Sequence, residues 1–304
     1  MKNVLVLYYT QSGQLEEIAK SVSLPLIENN DVDITFCEIK LKKPFPFPWN
    51  NQAFFNAFPE SFLEIPTEIE PLSDEVLDKK YDLVILAYQV WFLSVSIPIN
   101  SFLKSKFATH ILKNTPVVTV IGCRNMWVMA HEKLKTQLFK LQAKPVGTIV
   151  LVDRAPNLIS VITIVKWMFT GKKRKFWAGL LPKPGVSETD IQNASQFGST
   201  INNALMEGKL DELQSQLIKQ KAIKIDDYLL TVENRGSKIF SKWANLIIKK
   251  KKSRNLWLKA FNVYLFLAIW IISPIVYILH ILMYPFTKKG RLKRKLKYQG
   301  VQIQ

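Results

Sequence analysis

The 304-residue sequence predicts an α/β fold: a doubly wound, five-stranded parallel sheet in the order 2-1-3-4-5, followed by a C-terminal membrane-associated helical tail. Three observations carry this expectation. A continuous apolar run, Val4–Leu7, leads straight into a hydroxyl- and glycine-rich turn at Thr10–Gly13. Further short apolar runs alternate with helical periodicities. A stretch of 27 residues, Ala260–Phe286, then holds no Lys, Arg, Asp or Glu.

Val4–Leu7 is apolar without alternation, as a parallel strand covered on both faces requires. Four more strands are expected at Val32–Glu38, Tyr81–Ala87, Pro116–Gly122 and Val146–Val152. Helical spacing falls between most of them, around Gly13–Leu24, Ile97–Phe107 and Trp127–Leu141, with a closing helix at roughly Ser187–Met206. The main domain is therefore 1–206, interrupted by insertions at 44–80 and 154–184. A helical basic linker, 207–255, and a hydrophobic segment with a basic tail, 256–304, complete the chain.

The first insertion carries Phe45, Phe47, Trp49, Phe54, Phe55, Phe58 and Phe62 in a long loop expected to lack regular structure. So many rings argue against disorder. They suit either a hydrophobic flap over a ligand or a cover for the sheet in place of a helix. The second insertion joins LISVITIVKWMF to GKKRKFW. Its apolar part is too short to span a bilayer, and suits a membrane surface or a buried helix with a solvated basic turn.

Net charge is +18, and thirteen Lys or Arg with no Asp or Glu lie between Lys249 and Gln304. The basicity frames the longest apolar run, which points to a membrane and away from nucleic acid. At ~1.5 Å per residue the run is long enough to cross a ~30 Å hydrocarbon core. Ser273-Pro274 divides it, so a helix–break–helix hairpin is expected slightly ahead of a single kinked span. Either places the domain on the cytoplasmic side of the inner membrane, held through 256–286. Two cysteines and the lack of a signal-peptide pattern at MKNVLVLYY agree with a reducing compartment.

Candidate site residues cluster at three strand ends. Thr10, Gln11, Ser12, Gly13, Gln14 and Leu15 form a helix-start turn whose free N–H groups suit a phosphate. After the third strand come Gln89, Val90, Trp91, Phe92 and Ser94, where Trp91 offers a face for stacking. After the fourth come Gly122, Cys123, Arg124, Asn125 and Trp127, where the Arg124 cation suits an anionic ring edge or a substrate carboxylate. Candidate catalytic groups are Arg124, His131 one turn beyond Trp127, and Asp153 at the end of the fifth strand. No metal-ligand spacing and no Ser/His/Asp or Cys/His constellation stands out.

The T-x-S-G turn after a first strand, with these two later loops in the same chain order, resembles the FMN-binding loops of the flavodoxin-like family. The resemblance implies FMN as cofactor. A Thr or Ser usual in that family is replaced here by Leu15. YYTQSGQL, the aromatic insertion, YQVWFLS, GCRNMW, DRAPNLI and the basic tail together resemble bacterial dialkylresorcinol condensing enzymes of flexirubin-type pigment biosynthesis. That likeness implies an aromatase step: a dialkyl cyclohexanedione becomes a dialkylresorcinol lipid. It also implies a lipid-like substrate and, as partners, a ketosynthase and an acyl carrier protein. Two alternatives stand beside it: a membrane-associated NAD(P)H:quinone reductase, and a non-enzymatic electron carrier or assembly partner.

Overall fold

A computed structural model describes residues 1–177 and 179–301. Its strands are β1 (Lys2–Tyr8), β2 (Val32–Glu38), β3 (Leu83–Trp91), the two-residue β4 (Ser94–Val95), β5 (Pro116–Cys123) and β6 (Lys144–Val152). The long strands are all parallel and run in the order β2-β1-β3-β5-β6, with β4 paired antiparallel to the end of β3. Setting β4 aside, this is the 2-1-3-4-5 order of a flavodoxin-like sheet.

Helices cover both faces, in the order α1 (Gln14–Ile27), α2 (Asn51–Phe62), α3 (Asp74–Leu77), α4 (Ile97–Leu103), α5 (Lys106–Leu112), α6 (Val128–Lys140), α7 (Asn157–Thr170), α8 (Glu188–Asn193), α9 (Ser195–Met206) and α10 (Leu213–Lys219). Beyond them lie α11 (Asp227–Lys249), α12 (Arg254–Leu267), a π-turn at Ala268–Ile272, α13 (Ser273–Leu282) and α14 (Tyr284–Gln299). Strand residues alternate between two cores. Val4 and Val6 face α1, α9 and α10, whereas Leu5 and Leu7 face the side of α4 and α6. The continuous apolar runs of the strands follow from this two-sided burial.

Several expectations change. The aromatic insertion is not structureless: Asn50 accepts a hydrogen bond from the Ala53 amide and starts α2. Its rings then divide. Phe58 and Phe62 build a third core with α11 and α12, while Trp49 and Ala57 build a fourth with Ile97. The segment 207–255 is no free linker. The Gln214 carboxamide accepts the Thr148 amide hydrogen at 2.9 Å, and Leu213 and Leu217 lie over Gly147 of β6.

The tail is not a hairpin broken at Ser273-Pro274. Lys251–Leu282 is helical throughout and 32 residues long. Pro274 sits in the first turn after the π-turn, and that wider winding leaves a place for a residue without an N–H. The reversal falls instead at Met283, after which Arg291 returns to donate to the His280 carbonyl oxygen at 3.0 Å.

Candidate functional site

The ends of β1, β3 and β5 open onto a cavity of about 730 Å³. Gln11, Ser12, Gln14 and Leu15 line it from the first loop, Gln89, Val90, Trp91 and Phe92 from the second, and Gly122, Cys123 and Arg124 from the third. This is the crevice where open α/β sheets take ligands, at the point where chain direction across the sheet switches. The far wall is supplied by α2, α7, α12 and the π-turn, through residues such as Phe54, Ile162, Leu265 and Trp270.

Gly13 caps α1 with φ +86°, a left-handed backbone, and offers no side chain to its first turn. Space beyond it is open, since a Cβ there would meet nothing within 4 Å. The helix thus presents uncapped N–H groups, with the positive end of its dipole, to an anion. Gln89 Oε1, on a cavity-lining residue, is shielded from solvent and has no hydrogen-bond partner; Thr10 Oγ1 and Asn125 Oδ1, on the adjoining loops but outside the cavity lining, are shielded and unpartnered too. They sit one on each of the three loops. Unpartnered buried polar atoms are costly unless a ligand satisfies them.

Other predicted residues serve structure. Both ends of the Gln14 carboxamide bind the Val186 backbone, donating to its O at 2.9 Å and accepting from its N at 3.0 Å. Leu15 is buried on the core side and fills the space above Gly122, where a Cβ would lie 2.8 Å from Leu15 Cδ1 and 3.0 Å from Ile18 Cδ1. Gly122 therefore lets α1 close on the sheet, besides lining the cavity. Leu15, where the resemblance would place a hydroxyl, makes this same contact with the sheet.

Gln11 donates to the carbonyls of Phe45 and Pro46 and accepts from the Tyr9 hydroxyl, tying the phosphate-loop region to the aromatic insertion. Trp91 lies edge-on to Phe45, Trp49 and Tyr9, with centroids 5.2–6.0 Å away. The ring cluster around it makes a rigid wall. Phe92 holds φ +48° and joins α2 through Phe54 and Phe58.

Three expected contacts leave the site. Trp127 is fully buried in the second core. Ser94 is buried too, donating to the Phe62 carbonyl at 3.3 Å and accepting from Lys133 at 2.6 Å. His131 lies in the core between the Tyr88 hydroxyl and Thr148 Oγ1, each 3.2 Å away. Burial, with Lys135 nearby, pulls its imidazole down to about 3, so it is neutral and structural.

Asp153 is likewise satisfied. It accepts from Ser160 Oγ at 2.7 Å, the Ala155 amide at 2.9 Å and the Gly185 amide at 3.4 Å. It holds the start of α7 and the 185 loop together, outside the cavity lining. Arg124 does face the cavity. It donates to the Asn157 side-chain oxygen at 2.7 Å, an oxygen shared with Asn125 Nδ2 at 2.9 Å. Burial draws the guanidinium down to about 10, against the pull of Cys123 and Asp153, and it stays cationic at neutral pH. The Cys123 thiol is pushed up by burial and so is no ready nucleophile.

Sequence reasoning missed Asn157, which orients Arg124 and Asn125 from the first turn of α7. It also missed the walls given by Ile162, Leu265 and Trp270, since nothing local to those helices marks them as partners of a loop over a hundred residues away.

No protein-family profile matches the chain, and no curated protein matches it. Solved structures show likenesses of low identity. A flavoprotein in complex with FMN from Lactobacillus acidophilus is 16% identical, covering 49% of this chain and 93% of that one, with a TM-score of 0.38. Oxidised flavodoxin 1 from Bacillus cereus is 13% identical over 65% and 95% of the two chains, at 0.36. The NAD(P)H:(acceptor) oxidoreductase FerB from Paracoccus denitrificans is 13% identical over 68% and 98%, at 0.32. At such identities and scores these likenesses add no weight; the strand order carries the fold.

Proposed function

We propose that the chain is an FMN-dependent oxidoreductase of the cytoplasmic membrane face that oxidises a dialkyl cyclohexanedione to a dialkylresorcinol lipid. The observation that carries this reading is the two-ended cavity. At one end the unpartnered Gln89 Oε1 lies in the lining together with residues of the uncapped start of α1, and the other end is walled by apolar side chains. The α1 amides, with Ser12 and Thr10, would hold the phosphate, and Gln89 would meet the polar ring edge. When bound, FMN supplies two-electron redox chemistry.

Aromatisation removes two hydrogens from the substrate ring as a hydride equivalent and a proton; FMN held here would supply the two-electron acceptor, with a quinone or dioxygen as final oxidant, and the proton would be released to bulk water. Arg124 stabilises negative charge developing on a dione oxygen, where a fixed cation in a dry site counts most. The Trp91 cluster excludes water and orients the ring. Two long alkyl groups suit the apolar wall, and a ketosynthase with an acyl carrier protein fits as the source of such a dione.

A membrane-associated NAD(P)H:quinone reductase is the second reading. It is favoured by one feature: among the described residues lining the cavity there is no carboxylate or imidazole. The test is to supply a synthetic 2,5-dialkylcyclohexane-1,3-dione to FMN-loaded protein in detergent and analyse products by mass. A product two hydrogens lighter, with one acceptor reduced per turnover, supports the aromatase. Rapid NAD(P)H oxidation by added quinone, with the dione untouched, would replace it with the reductase.

A further inference from the structure

The helical stretch Lys251–Leu282 is long and apolar enough to cross a membrane, yet its contacts oppose a span. Along its course it is fastened to α11. Phe261 is fully buried, stacked on Phe58 at 3.7 Å and lying 5.4 Å from Phe240. Trp243 meets Tyr264 at 5.6 Å, and the Tyr228 hydroxyl donates to the Ser273 carbonyl at 2.8 Å. Asp227 at the start of α11 is 3.5 Å from His280 and 3.0 Å from Arg291. The helix α11 is in turn part of the domain, because Glu233 accepts from the Met129 amide of α6 at 2.7 Å. Inserting Ala260–Leu282 across a bilayer would drag Asp227, Glu233, Asn234 and Arg235 toward hydrocarbon.

Away from the contacts with α11 the helix is apolar and exposed over a broad face, with Ile272, Tyr277, Leu279 and Ile281 exposed beside a central row. Val263, Leu267, Ile271, Ile275, Ile278 and Leu282 recur at helical spacing, and each is between 42% and 64% exposed. Thirteen basic residues and no acidic ones accompany it from Lys249 onward. On α7, Val165 is exposed; beyond α7, Lys172–Lys175 precede an exposed Trp177. Apolar stripes rimmed by Lys and Arg match an anionic lipid surface in both chemistry and charge. The cavity meets this surface. Val165 on α7 and Phe266 on α12 line the cavity and are also 44% and 59% exposed, which marks its mouth between the two helices.

We propose that α12 and α13 lie in the plane of an anionic membrane surface without crossing it, and that the cavity opens between α7 and α12 into the acyl layer. A long-chain amphiphile then enters sideways from the bilayer, chain toward the mouth and head toward Arg124 and Gln89. This rests on the reading of the cavity as the site of a lipid-active oxidoreductase, and deepens it by assigning the access route.

The test uses the full chain on phosphatidylcholine vesicles with and without phosphatidylglycerol. Trp270 lies near the middle of the apolar run, so its depth separates the two arrangements. Lipids brominated at different acyl positions are compared as quenchers of wild type and Trp270→Phe, the difference reporting Trp270 alone. Strongest quenching by bromines near the headgroup, on anionic vesicles, is expected. Strongest quenching by bromines near the chain ends overturns the in-plane arrangement, and no quenching overturns a lipid-facing stripe in favour of a second copy or partner protein covering it. A diazirine-bearing palmitate in the same vesicles tests the mouth. Crosslinks to Ile162, Leu265 or Trp91 are expected; crosslinks confined to Ile271, Ile275 and Ile278 overturn lateral access. Both readouts work on colourless protein as well as FMN-loaded protein, so loss of the flavin reading would be seen separately in the absorbance spectrum.

Discussion

Gln89 Oε1 in the cavity lining, like Thr10 Oγ1 and Asn125 Oδ1 on the adjoining loops, is shielded and unpartnered, and the proposed FMN site draws on all three. Replacing Thr10 by Val removes one hydrogen bond to a charged group, worth about 1.5–3 kcal/mol. The expected result is FMN binding weakened by at least about tenfold with thermal stability unchanged, read by fluorescence titration. Arg124→Met should keep FMN content but lower dione turnover by about 10²-fold, the scale of losing one fixed charge-stabilising group. Equal turnover in the two proteins would remove Arg124 from the chemistry. The loop residues of this site were legible because a strand end, a glycine and hydroxyls lie within five positions of one another. His131 and Asp153 were not, since their partners come from β3, β6, α7 and the 185 loop. A sequence shows the titratable group without showing what satisfies it.

Contacts between elements decide two further outcomes. Gly122→Ala would push a methyl to 2.8 Å from Leu15 Cδ1 and 3.0 Å from Ile18 Cδ1, both on α1. Overpacking of this kind costs about 1–3 kcal/mol. Leu15→Ala in the same chain should return part of that loss, and a double-mutant cycle by urea unfolding measures the coupling. Glu233 on α11 is nearly inaccessible, and burial lifts its carboxyl to about 7 despite hydrogen bonds from the Met129 and Val128 amides. The unfolded carboxyl ionises near 4.5. The folded state therefore holds the proton more tightly, and stability present below about 4.5 is lost as pH rises through 7, by an amount on the order of 3 kcal/mol. Glu233→Gln should flatten the melting-temperature profile across that window; an unchanged slope would assign the dependence elsewhere. Most strands and helices were legible from periodicity, β2 to the residue. The helix α2 was missed because its aromatic residues read as a loop among prolines, and only their division between two cores stabilises it.

At the scale of the molecule, the tail completes the domain. Arg291 is only 6% exposed and pairs with Asp227, so α14 is latched to the start of α11. Asp227→Ala leaves a buried cation without its partner, a change that costs about 3 kcal/mol or more. Faster tryptic cleavage beyond Met283, with the sheet domain resistant, is the expected outcome; identical digestion would show that the latch does not hold α14. The length and basic flanks of the tail were legible in composition. Its course was not, because the expected break at Pro274 is absorbed by the π-turn, and its docking depends on Phe58 and Tyr228 from distant parts of the chain. The proposed chemistry requires a bound flavin. Its most direct test is the absorbance spectrum of the detergent-purified chain, with the released cofactor identified by mass. One FMN per chain, lost on stripping and restored by added FMN but poorly in Thr10→Val, is the predicted result. A colourless protein that FMN does not reconstitute would contradict it.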